Sequence, residues 1–159
     1  MNNQYIPAYY VIMAKEISAK VQKTLSDRYK MKILGVKSGL ADCVNVLGLS
    51  FQIQGPLSKE ELRVVLVGSV EEFLTQINSN LELRPFLKNY PFTTNEITIT
   101  IFIKDKNGQS LYHPDISLAY SSTGEISFNT VDKNNIYGYE SRERETYSTA
   151  LVIVKDTNK

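Results

Sequence analysis

Hydrophobic side chains recur at helical spacing along the first part of the chain. They lie three or four residues apart at Tyr10, Ala14, Ile17, Val21 and Leu25, and Met13 extends the same face. On a helical wheel, with 100° per residue, most of the intervening lysines and acidic residues lie on the opposite side of the helix. One face of the helix is therefore apolar and the other polar. This pattern predicts an amphipathic helix over residues 7–29, with Pro7 in the first turn, where proline is well tolerated.

Two strands and a second helix follow. Residues 31–37 and 44–54 read as strands, and in the second strand apolar side chains alternate with small or polar ones (Leu47, Leu49, Phe51 and Ile53 against Gly48, Ser50, Gln52 and Gln54). Such alternation is typical of a sheet with one buried face and one face open to water. Ser58 and Glu61 then form the sequence signature of a capping box, which predicts a helix from Ser58 to about residue 77.

The second half of the chain is richer in strand signals. A short helical turn is predicted over residues 81–88 and a strand over 96–104, where four isoleucines alternate with Thr98, Thr100 and Phe102. Asn107 and Gly108 predict a turn. Residues 116–120 and 125–130 predict a hairpin, and Asn134–Asn135 mark a loop. The last segment favours a helix from about Arg142, with a buried strand over 150–154 left as the alternative.

This order of elements predicts one α+β domain. We expect an antiparallel sheet of about five strands with two or three helices packed on one face. Residues 1–6 and 156–159 are expected to be loose ends, and the strand over 97–103 is a candidate sheet edge that pairs with a second copy of the chain.

Composition narrows the classes of function. The 159 residues include 18 Lys and Arg, 17 Asp and Glu, one His and one Cys, and 42% are hydrophobic. No apolar run approaches the roughly 20 residues of a membrane-spanning helix, so no transmembrane segment is expected. One His and one Cys exclude the common zinc motifs, and we expect neither a metal nor a cofactor. A net charge of +1 makes nucleic acid an improbable partner.

Charge is unevenly distributed along the chain. Residues 1–40 hold seven basic and two acidic side chains, whereas the other 119 residues hold eleven basic and fifteen acidic ones. The predicted first helix therefore offers a basic face, including Lys15, Lys20 and Lys23, to an anionic surface. The simpler interpretation, a solvated outer face balanced by acids elsewhere in the fold, is favoured.

Cys43 and His113 are the one candidate nucleophile–base pair, with Asp42 or Asp115 available to orient the imidazole. No helix N-terminus is predicted beside Cys43 to lower its pKa. The favoured interpretation is a half-buried cysteine and a loop histidine that are unrelated in space.

Tyrosine is abundant, with ten residues against no tryptophan. Tyrosines supply contact area at little cost in side-chain entropy, which suits recognition surfaces, and they are also common on half-buried strands. The candidates for binding are Tyr112, Tyr120, Tyr137 and Tyr139.

Three segments carry a resemblance to known proteins: residues 49–51, residues 56–61 and residues 84–93, which read RPFLKNYPFT. They resemble a family of small uncharacterised proteins of host-associated Gram-negative bacteria. The resemblance extends over roughly residues 20–155. It implies no catalytic residues, and it favours an exported or envelope location over the cytoplasm.

These observations predict a binding module more than an enzyme. The expected partner is a protein, contacted through the polar sheet face or the tyrosine-rich loops. A small cysteine-dependent enzyme built on Cys43 and His113 and a structural subunit of a homo-oligomer are the alternatives.

Overall fold

The protein is described by a computed structural model, which covers residues 8–157 apart from the side chain of Ile136. Within these residues, three helices and six strands follow one another, with a short 3-10 turn at Arg84–Phe86. The elements are α1 (Tyr9–Tyr29), β1 (Lys32–Gly39), β2 (Val46–Gln54), α2 (Lys59–Asn78), β3 (Ile97–Lys104), β4 (Leu118–Ser122), β5 (Glu125–Asp132), β6 (Asn135–Thr146) and α3 (Tyr147–Thr157).

The predicted α+β class is confirmed, with one more strand than expected. The six strands form one sheet in the order of the chain, and every neighbouring pair is antiparallel except β2 and β3, which are parallel. The prediction of an antiparallel sheet is thus confirmed for every neighbouring pair except this one. Parallel neighbours need a crossover connection, and α2 supplies it between β2 and β3.

The three helices cover one face of the sheet. α1 contacts β1 and β2, α2 contacts β3 and β4, and α3 contacts β5 and β6, while α2 also packs against both other helices. The alternating apolar side chains that the sequence predicted are buried beneath these helices. Examples are Leu49 with its register partner Ile99, and Phe51 with its register partner Ile101. We call the other side of the sheet, which carries no helix over residues 8–157, the uncovered face.

Local signals that depend on a few neighbouring residues are reproduced. Ser58 caps α2, since its side chain accepts the backbone N–H of Glu61 at 3.1 Å. Gly108 takes the positive φ that the Asn-Gly turn requires, and Thr123 and Gly124 do the same in the tight β4–β5 turn. The predicted start of the first helix at Pro7 lies outside the described residues.

The prediction for the C-terminal segment is wrong in part. Residues 135–146 form β6, the partner of β5, and the helix that we placed from about Arg142 begins at Tyr147. Residues 156 and 157, expected to be loose, belong to α3, whereas residues 1–6, 158 and 159 lie outside the described part. The strand over 97–103 is also not an edge: β3 lies in the interior of the sheet, and the edges are β1 and β6.

Glu96 anchors the loop that leads into β3. This residue is 8% exposed, and its carboxylate accepts hydrogen bonds from the backbone and hydroxyl of Thr93, at 2.9 and 2.7 Å, and from Asn89 at 3.1 Å. Burial raises the pKa of Glu96, but the hydrogen bonds from Thr93 and Asn89 outweigh it, so the net pKa is lowered.

Replacing Glu96 by glutamine is therefore expected to destabilise the fold in a pH-dependent way. A lowered pKa in the folded state gives stability that is present above the unfolded value, near 4.5, and is lost as the pH falls through the folded value. Urea unfolding at pH 7 should show a loss of about 1–3 kcal/mol in Glu96→Gln, and the difference from wild type should shrink at pH 3. Exposed Glu140→Gln is the control; an equal loss at both pH values would contradict the assignment.

Candidate functional site

Cys43 and His113 lie at opposite ends of the sheet. Cys43 precedes β2 and its sulfur contacts Oδ1 of Asn45 at 3.6 Å, whereas the backbone N–H of His113 bonds to Val131, close to the end of β5. The intervening strands place the two residues roughly 20 Å apart, at about 3.3 Å per residue. The structure therefore does not bring the candidate nucleophile and base together.

His113 belongs instead to a chain of hydroxyl groups on the helix-covered side. Its Nδ1 lies 2.8 Å from Oγ1 of Thr130, which lies 2.6 Å from Oγ of Ser141. These residues line a small cavity of about 220 Å³, together with Lys59 and Glu143. Within the described residues no hydrogen bond joins the carboxylate of Asp42 or of Asp115 to the imidazole, so neither predicted orienting acid contacts His113.

A groove on the uncovered face brings two of the predicted tyrosines together. It has a volume of about 300 Å³ and lies at the end of the sheet where β3 and β5 finish. Aromatic and aliphatic side chains form most of its lining, and Lys104, Ser110 and Ser117 supply the polar part. The apolar set is Phe102, Leu111, Tyr112, Leu118, Val131 and Tyr139.

The strands position this lining by simple alternation. Phe102 pairs in register with Gln52 on one side and Leu118 on the other, so all three point to the uncovered face. Phe102 remains 37% exposed although it lies in the middle of the sheet, because none of the described helices packs above it. Tyr139 reaches the same face as the register partner of Val131, across the bulge between β5 and β6.

The other tyrosines and the basic helix face stand apart from this groove. Tyr120 is half-buried on the uncovered face, in register between Thr100 and Ser127, and Tyr137 is 96% exposed near the β5–β6 turn. Lys15, Lys20 and Lys23 are exposed on α1, in the helical layer, and none forms an ion pair among residues 8–157. The tyrosine and lysine candidates are therefore on separate surfaces.

The charged side chains of β6 alternate between the two sides of the sheet, with glutamates on one side and arginines on the other. Glu143 and Glu145 point to the helix-covered side, where they pair with Lys59 and Arg63, each at 2.7 Å. The hydrogen bond from Lys59 holds the pKa of Glu143 below its usual range.

The arginines between those glutamates take the opposite side. Arg142 and Arg144 pair in register with Asn129 and Ser127 on the uncovered face, and the guanidinium of Arg142 lies 4.4 Å from the centre of the Tyr139 ring.

Sequence reasoning missed Phe102, Leu118 and the arginines of β6. Two signals were present. Phe102 is a large aromatic residue at an outward position of an alternating strand, and residues 142–145 read RERE, a charge alternation of period two that fits a strand with unlike surroundings on its two faces.

Comparisons with known proteins give no functional assignment. No protein-family model matches the chain, and no similar curated protein or solved structure is found. Over residues 8–157, no helix is long and apolar enough to cross a membrane. The same part of the chain contains no cluster of three or more His, Cys, Asp or Glu side chains arranged to hold a metal ion.

Proposed function

We propose that this protein is a non-enzymatic binding module whose uncovered sheet face receives a segment of a protein partner. The observation that carries the proposal is the groove around Phe102, Leu118 and Tyr139. Large side chains that lie together on a strand face without a helix above them are a recognised mark of an interaction surface.

The size and lining of the groove favour a side chain over a free cofactor. Its volume, about 300 Å³, is at the lower limit for pockets that enclose a small molecule. Tyr112 and Tyr139 provide rigid aromatic walls, and the hydroxyl groups of Ser110 and Ser117 provide hydrogen-bonding capacity at the rim. This combination suits a peptide that inserts one apolar anchor and lies along the surrounding sheet face.

A peptide selection followed by mapping tests the proposal. Peptides displayed on phage are selected against the wild-type protein, and their binding is then measured with Phe102→Ala/Tyr139→Ala. We expect at least a tenfold loss of affinity, because both substitutions remove walls of the groove. NMR amide shifts in the wild-type complex are expected to concentrate in β3, β4 and β6.

The control variant truncates two exposed aliphatic residues in the helical layer. Val64→Ala/Val152→Ala removes side chains that are 44% and 57% exposed on α2 and α3, and it should bind the selected peptides as tightly as wild type. Peptides that respond equally to both double variants would overturn the proposal. So would self-association through the same amides, which would make a second copy the occupant.

A further inference from the structure

The uncovered face carries an excess of positive charge that the net charge of the chain conceals. Where the register is regular, one carboxylate lies on this face, Glu125, and it pairs with Arg144 at 3.5 Å. The five cations that the register places there are Lys32, Lys37, Lys104, Arg142 and Arg144.

Two of these cations lie at the groove itself. Lys104 lines it, with Nζ 3.4 Å from the hydroxyl of Ser110, and Arg142 stacks on the groove-lining ring of Tyr139. Neither forms an ion pair among the residues that the structure describes. The nearby loop carboxylates of Asp105 and Asp132 accept backbone N–H groups of their own turns.

A buried amide beside Arg142 also lacks an acceptor. The side chain of Asn129 is fully buried, and its Oδ1 accepts the hydroxyl of Ser127 at 2.7 Å. Its Nδ2 has no hydrogen-bond partner within residues 8–157. This amide lies in register between Leu118 and Arg142, and leaving a buried donor without an acceptor is costly.

We infer that the partner segment is acidic, with carboxylates flanking the apolar anchor that enters the groove. This inference rests on the proposed function and adds the chemistry of the ligand to it. Lys104 and Arg142 meet the flanking carboxylates, while Phe102, Leu118 and Tyr139 enclose the anchor. Complementary charge of this kind sets specificity and the rate of association, and its effect weakens as salt is added.

Three synthetic peptides test the inference. Each has a central phenylalanine flanked on both sides by two aspartates, two serines or two lysines, and binding is followed by fluorescence anisotropy at 50 mM and 500 mM NaCl. We expect the aspartate peptide to bind at least tenfold more tightly than the serine peptide at low salt and to lose most of that advantage at high salt. The lysine peptide should bind more weakly than both.

Matched charge variants show which surface of the protein binds the aspartate peptide. Lys104→Ser/Arg142→Ser should reduce the affinity for the aspartate peptide about tenfold and leave the serine peptide nearly unchanged. Lys20→Ser/Lys23→Ser removes the same charge from α1 and should bind like wild type. A loss confined to the α1 variant would overturn the inference and assign the anionic partner to the helix.

The acidic character of the partner and the groove as the binding site are contradicted by different results. Equal binding of the aspartate and serine peptides, both abolished by Phe102→Ala, would overturn the acidic partner and leave the groove as the binding site. Binding that is insensitive to Phe102→Ala, or no binding of the aspartate peptide, would overturn the inference together with its placement in the groove.

Discussion

Replacing Arg63 by alanine is expected to destabilise the protein by about 3–5 kcal/mol, because it leaves a carboxylate without its partner at a site shielded from water. Arg63 contacts Glu145 through two hydrogen bonds, of 2.7 and 3.0 Å, and the two side chains are 9% and 13% exposed. This pair joins α2 to β6. Urea unfolding followed by circular dichroism at pH 7 measures the loss.

A double variant separates the cost of an unpaired charge from the value of the pair. Arg63→Met/Glu145→Met removes both charges and keeps apolar bulk, so it should recover most of the stability that Arg63→Ala loses. If the double variant were as unstable as the sum of Arg63→Met and Glu145→Met alone, the two residues would be acting independently and the assigned coupling would be wrong.

Ile101→Ala is expected to cost about 2–5 kcal/mol, whereas Phe102→Ala, one residue later, should cost less, about 1–2 kcal/mol. Ile101 is fully buried beneath the helices, so truncation leaves a cavity there. Phe102 is 37% exposed on the other side of β3, where water can fill the space. Chemical denaturation of the two variants provides the comparison.

The comparison of Ile101→Ala with Phe102→Ala also serves as a stability control for the binding tests. A small cost for Phe102→Ala means that lost binding reports the groove and not unfolding. Comparable losses for the two variants would show that Phe102 supports the core, and the uncovered face would then need to be redefined.

Elements with local signals were predictable from the sequence. α1 and α2 have an apolar stripe at helical spacing, α2 has the Ser58 cap, and β2 and β3 alternate with period two. In each case the residues that decide the structure are within a few positions of one another. Their bounds agree with the structure to within a few residues over the part that is described.

Two features depend on distant parts of the chain and were missed. The parallel pairing of β2 with β3 is set by how α2 crosses the sheet, which the composition of neither strand reveals. Residues 142–146 of β6 were assigned to the last helix because Tyr147, Ala150, Leu151 and Val154 have helical spacing. Their strand character follows from unlike neighbours on the two faces, Glu145 under Arg63 and Arg144 beside Glu125.

From the sequence, the type of residue at the candidate site was predictable, but not which residues meet there. Tyrosines were proposed as candidates for recognition, with a structural role as the alternative, and two of the candidates, Tyr112 and Tyr139, line one groove. Which tyrosines meet depends on the hairpin geometry of β5 and β6 and on the bulge near Val131. The pairing of Cys43 with His113 was proposed because each is the single residue of its kind, and rarity in a sequence does not place two residues near each other.

The alternation of charge along β6 also fixes how this strand aligns with β5. A slip of one residue would turn every side chain of β6 to the other face. Arg142 and Arg144 would then lie under α2 against Lys59 and Arg63, and Glu143 and Glu145 would lose their partners. Misaligned hairpins are thus penalised by like-charge repulsion, so electrostatics selects a single alignment for a strand that has few apolar residues with which to do so.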